Sequence, residues 1–485
     1  MDKLAPTLLA EPVQGLVGIA ARDTAVKNHV QKLSDLLKKN SGDIITHGQN
    51  FLELLDPSVH SLSYLAILHT LLIPGAATTI PRETLLEKLV IFLLTFDAVQ
   101  CRYAGTHLHD LFLLAGAGDL LPSSVGVEAL AMAILRLDPT GSMLTTSHIH
   151  LAKLAYNTNT IEPALQVIEK NIVFFPGMAN STEPKYLCDP ALPPPAYISK
   201  DSGLTGTIKP ANVMEYDLLC GLMYCSQREW AEAYVAFERV VTFPSREGGV
   251  SKLMVEAYKK WVLAGLLSRG KLVDPPVFTS ASATKVYGSL AKAYTTLAIL
   301  FVADDAQELK AEVEKNASVW AEDGNSGLVR EVLAAYQKWR VLGLEHIYSK
   351  ISLPEIRQQT TSAETGQPLS RDEDVEPLLQ NMIISGMLSG VIEKNDDGTA
   401  FLTFLPPSTR LSEQDVAREL ASSAVRLKQL QPLFKATRDR LGTSKEYVKY
   451  AVKEKRAEKN EPDPAMAFDA HVDDEDLMGG VIATG

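Results

Sequence analysis

The side chains best suited to chemistry are two histidine pairs, His107-x-His109 and His148-x-His150. Each could open the His-x-His…Ser-x-x-Asp ligand set of a zinc hydrolase. The rest of that set is missing. Ala117 and Leu120 stand at the serine and aspartate positions after the first pair, Thr158 and Ile161 after the second. Both pairs lie in helical context, where side chains two apart diverge, so neither is expected to hold a metal. Cys220 and Cys225 are five apart on a predicted helix, do not share a face, and read as small buried hydrophobes. No His-Glu-x-x-His, phosphate-binding Gly-x-x-x-x-Gly-Lys-Ser/Thr or Gly-x-Ser-x-Gly segment occurs. The expectation is a chain with no catalytic, cofactor-binding or metal-binding residue, and not an enzyme.

What remains is structure that positions surfaces. A chain of 485 residues has length for roughly two to four domains. Its apolar content of 46% against 22% charged residues marks it as globular. A net charge of −12 argues against general nucleic-acid binding. Four cysteines without a Cys-x-x-Cys pair suit a reducing compartment. Leu4, Leu8 and Leu9 are interrupted by Pro6, Glu11 and Pro12, which spoils a signal-peptide core. The longest apolar runs, such as Val90 to Phe96, fall short of a bilayer span. The chain is expected to be soluble, intracellular and without a membrane partner.

Up to about residue 325 the pattern is helical. Val26, Val30, Leu33 and Leu37 form one stripe, Leu85 to Val99 reads as a buried helix, and Val127–Leu137, Ser147–Ala155 and Glu162–Phe174 follow. Between 176 and 212 the composition changes to Pro184, Pro190, Pro193, Pro194 and Pro195 among Ser, Thr and Gly, the expectation being a mobile loop inserted between repeats. Beyond it Gly221, Tyr224, Ala233, Phe237 and Pro244 match the spacing of a tetratricopeptide helix pair. Residues 26–325 therefore read as a solenoid of helix pairs, after an N-terminal segment of 1–25.

Residues 326–406 read as a winged helix: three helices and a hairpin. Ser352-Leu-Pro-Glu355 starts the second helix with a capping hydroxyl, an early proline and a glutamate at the third position. Val375, Leu378, Leu379, Met382 and Ile383 make one apolar stripe on the third helix, and Asp397-Gly398 marks a hairpin turn. The predicted wing offers a strand edge, with Leu402 and Phe404 as candidate contacts. DNA reading is the rival use of such a module, but Asp372 to Val391 contains no Lys or Arg. A further helix over 407–435 opens at Ser412 and is closed by Pro432. Its seam of Val416, Leu420, Leu427, Leu430 and Phe434 is nearly heptad-spaced and needs apolar cover, on its own domain or among other helices. Residues 436–485 read as a charged, largely disordered tail with a solvated helix over Lys445–Lys459 and an acidic end from Asn460.

A helical-repeat array leading into a winged helix resembles the PCI family, shared by the proteasome lid, the COP9 signalosome and translation initiation factor 3. The segment Leu253-Met-Val-Glu-Ala-Tyr-Lys-Lys-Trp-Val-Leu-Ala-Gly-Leu-Leu-Ser-Arg-Gly-Lys271 is most similar to COP9 signalosome members, as are Tyr287–Tyr294 and Ile347–Glu355. The resemblance implies a non-catalytic scaffold in the complex that removes the ubiquitin-like modifier from cullins, working in cytoplasm and nucleus. It implies sister PCI subunits as partners, joined through winged helices and C-terminal helices, with cullin-RING ubiquitin ligases as indirect ones. A proteasome-lid or initiation-factor subunit is the alternative within the family, and a winged-helix nucleic-acid-binding protein the alternative outside it.

Overall fold

A computed structural model describes residues 4–459 apart from 14, 73–79, 119, 177–183, 245–248, 304, 396–398 and 406–412. Two compact units result, Met1–Arg410 and Leu411–Gly485. In the first, helices stack pairwise from Ile19–Lys39 to Ala317–Glu322 around one continuous apolar core, as the repeat spacing predicts.

The pair Pro210–Ser226 and Trp230–Val241 shows why spacing and residue type matter together. Phe237 is fully buried and its ring lies directly over Gly221, where any Cβ would overlap it. Ala233 and Ala236, also fully buried, keep the two backbones close. The next helix, Lys252–Arg269, begins where Ser251 accepts the Leu253 amide and ends on Gly270 in the left-handed conformation (φ +68°). It buries Trp261 against Tyr234 and Tyr258, and Tyr258 stacks on Tyr287 at 4.4 Å.

The proline-rich insert is not the expected mobile loop. Over its described part, 184–209, it is a strap tied across the first half of the solenoid. Tyr197, Ile198 and Leu204 are core residues, and the Tyr197 hydroxyl donates to the Leu137 carbonyl at 2.8 Å. Arg102 lies 3.7 Å over the Tyr197 ring and donates to the carbonyls of Leu187 and Asp189. Buried Asp23 accepts from the Leu187 amide, the Tyr103 hydroxyl and Lys27. Burial opposes its charge, yet those bonds outweigh burial and hold its carboxyl below the usual range. Prolines stiffened the segment while a few apolar residues anchored it, a combination that composition alone misreads.

The tightest strap contact is at Gly105, where a Cβ would overlap the Ser202 carbonyl oxygen. Gly203 beside it has φ +75°. Gly105→Ala should lower stability by about 1–3 kcal/mol, the cost of overpacking. It should also speed proteolytic cleavage within 184–209. Unchanged melting and cleavage would show that the strap is not held there.

The helix Ser326–Leu344 serves both cores. Val329, Val332 and Tyr336 belong to the solenoid core, Val341 and Leu344 to that of the winged helix. Arg340 donates to the Phe301 and Val302 carbonyls at the end of the Lys292–Val302 helix, where the dipole is negative. One rigid rod thus couples the repeat array to the winged helix.

The winged helix has three strands rather than a lone hairpin: β1 (Lys350–Ser352), β2 (Gly390–Lys394) and β3 (Ala400–Phe404), in the order β1-β3-β2, all antiparallel. Ser352 caps the Leu353–Gln359 helix through the Glu355 amide as predicted, and Val375–Ile384 buries Val375, Leu379 and Met382. The turn at Asp397-Gly398 lies outside the described residues.

Candidate protein-interaction surfaces

His107 and His109 diverge as the helical spacing requires. His107, on the Gly105–Gly116 helix, packs against His69 with ring centroids 4.2 Å apart and planes tilted by 45°, while His109 faces the Thr146 hydroxyl at 3.3 Å. His148 is built into a helix start: its Nδ1 lies 3.2 Å from the Thr145 amide and 2.8 Å from the Thr145 hydroxyl, completing a capping box. Among the described residues no three His, Cys, Asp or Glu side chains converge as a metal site. Cys220 and Cys225 are free, and burial pushes both thiols up, Cys225 to about 12. Neither forms a nucleophilic thiolate at neutral pH.

The third helix of the winged helix, Val375–Ile384, carries no Lys or Arg. The Val375–Ile384 helix carries Glu376, paired with Lys394 at 3.5 Å, and Asp372 just before it pairs with Arg357 at 2.6 Å. The one candidate contact pair on this domain needs correction. Leu402 and Phe404 lie on β3, the middle strand, and both are buried in the core. A two-strand wing would leave them at an edge, but the short strand β1, whose single core residue Ile351 pairs opposite Leu402, covers that side. The free edge beside the hairpin belongs to β2. There Val391 is exposed, and Ile384, at the end of the third helix, is 87% exposed.

The second unit exposes a regular row of apolar side chains. The helix Glu413–Thr443 continues through position 432, where Pro432 was expected to end it, and a further helix, Lys445–Lys459, follows. The expected Ser412 start and the acidic segment from Asn460 lie outside the described residues. Val416 is exposed, Leu430 half-buried, and Leu420, Leu427 and Phe434 are 66%, 69% and 67% exposed. Leu441 extends the series, so apolar side chains recur at 420, 427, 434 and 441 along one strict heptad seam. Tyr447, Val448, Tyr450 and Val452 continue the exposed apolar surface on the last helix. The seam expected from the sequence ends at Phe434, and Leu441, one heptad further on, extends it.

Known proteins are similar to this chain in sequence. The family model described as "COP9 signalosome complex subunit 3, N-terminal helical repeats" matches residues 22–189 and 195–283. A curated relative from Neurospora crassa, named COP9 signalosome complex subunit 3, is 41% identical over 432 residues, 88% of this chain and 87% of the relative. One of the same name from Emericella nidulans is 29% identical over 450 residues, 88% and 89% of the two chains. The solenoid, the winged helix and these likenesses agree, and the chain belongs to the COP9 signalosome complex subunit 3 family.

Proposed function

We propose that this chain is a non-catalytic scaffold subunit of the COP9 signalosome, the complex that removes the ubiquitin-like modifier from cullins. Its direct partners are sister PCI subunits, and cullin-RING ligases are reached through the complex, in cytoplasm and nucleus. The observation that carries this reading is the exposed heptad seam of the Glu413–Thr443 helix. An amphipathic helix gains stability from apolar cover rather than from propensity. A row of large side chains left open at seven-residue intervals fits a bundle of parallel or antiparallel helices. The β2 edge, which among the described residues pairs with β3 alone, is the second candidate contact, through strand addition by a neighbour.

Truncation after residue 410 tests the reading, as does Leu420→Asp with Leu427→Asp. Each aspartate would place a carboxylate in the bundle without a partner. The expected result is an unchanged melt of the Met1–Arg410 unit, with recovery of sister subunits on affinity capture reduced at least about tenfold. Normal recovery would refute the bundle, and a variant that no longer folds alone would assign the seam to packing within the chain.

A further inference from the structure

The last helix of the second unit, Lys445–Lys459, is organised by charge. Ser444 starts it by accepting the Tyr447 amide. Lys445, Lys449 and Lys453 then recur at every fourth residue, so they line one face at intervals of about 6 Å. All three are exposed, and none has an ion-pair partner among the described residues. Val448 and Val452, also exposed, border the lysines on one side. The helical period puts positions 454 and 458 on the far side and leaves Glu446 as the one acidic residue beside the stripe. Over the whole helix six basic residues stand against three acidic ones, a local reversal in a chain of net charge −12. Like charges four apart repel, and Lys445 adds its charge to the positive end of the helix dipole. An anion laid along this face relieves both.

The sequence that follows has the complementary charge. Residues 460–485 contain no Lys or Arg, and Asp473-Asp-Glu-Asp476 is the only run of four acidic residues in the chain. Val472 and Leu477 flank that run, apolar side chains to set against Val448 and Val452. The reach also fits. Lys445 to Lys459 measures about 21 Å along the helix axis, and fourteen residues of flexible chain, the interval from Lys459 to Asp473, span roughly 20 Å. A tether of that length gives an effective concentration in the millimolar range, which favours this anion over a free one of equal affinity. We infer that Asp473–Asp476 folds back over the face of Lys445, Lys449 and Lys453 and covers it in the free subunit. The segment is then a built-in competitor: an external polyanion or acidic protein reaches those lysines only by displacing it. This cover needs no sister subunit, and it stands whether or not the Glu413–Thr443 seam joins a bundle.

The test uses the full chain throughout. In an equal mixture of 15N-labelled and unlabelled chains at low salt, a carbodiimide should form amide cross-links between the three lysines and Asp473–Asp476, with mass spectrometry finding both ends in one chain. Under limiting N-hydroxysuccinimide acetate, the same lysines should acetylate about threefold or more slowly than in the variant Asp473→Asn, Asp474→Asn, Glu475→Gln, Asp476→Asn. Exposed Lys38 and Lys39 should react alike in both chains, and high salt should erase the difference at the three lysines. Equal acetylation of parent and variant at low salt, cross-links formed only between chains, or cross-links of the three lysines only to carboxylates outside 460–485 would each overturn the proposal.

Discussion

Phe237→Ala will lower the stability of the repeat array by about 3–5 kcal/mol, the usual cost of removing a buried aromatic ring. The ring fills the space over Gly221, where the neighbouring helix has no side chain to collapse into the void. Loss of the ring therefore leaves a cavity rather than a rearranged contact. The adjacent helix, Lys252–Arg269, packs extensively on Trp230–Val241, so its Trp261–Tyr234 contact should loosen as well. Val235→Ala on the same helix is the control: Val235 is exposed, and its loss should change stability by no more than about 0.5 kcal/mol. Parallel melts of the two variants decide the matter. Equal midpoints would mean that the Gly221–Phe237 contact does not hold the pair together.

Acidification will destabilise the chain between about pH 6.5 and pH 4, before most carboxylates are protonated. His148 is fully buried, its Nδ1 is bonded to Thr145, and its Nε2 has no partner. Protonation would put a charge in the core and remove the acceptor that completes the capping box. Burial pushes its pKa down to about 4. The unfolded chain, with an ordinary histidine near 6.5, takes up the proton first, so stability rises with pH across that window and is flat above it. The full difference is about 3 kcal/mol. Burial lowers His29, His107, His109 and His150 as well, with the same sign. Asp217, raised by burial against the pull of Arg239, works in the opposite sense. Urea midpoints at a series of pH values should fall below pH 6.5, and the fall should be shallower in His148→Gln. A wild-type midpoint independent of pH from 7 to 5 would refute this account.

Local patterns carried much of the architecture. The small and aromatic residues at 221, 224, 233 and 237 announced a helix pair because packing two neighbouring helices depends on residues near in sequence. The Ser352 cap and the stripe from Val375 to Ile383 were legible for the same reason. So was the heptad seam from Val416 onward, whose period is a property of one helix. The failures share an opposite cause. The strap was read from its prolines, whereas its order depends on Asp23 and Arg102, roughly 80 to 160 residues away in the chain.

What the amino-acid sequence determined by itself was the set of elements, the missing catalytic motifs and the presence of an apolar C-terminal seam, all of them periodic or contiguous signals. Only tertiary structure decided which surfaces are free. β1 has three residues and one core side chain, too little for a sequence signal, yet by pairing with β3 it moves Leu402 and Phe404 from an edge to the interior and leaves β2 outside. Burial is a property of all neighbours at once, so no single segment's periodicity specifies it.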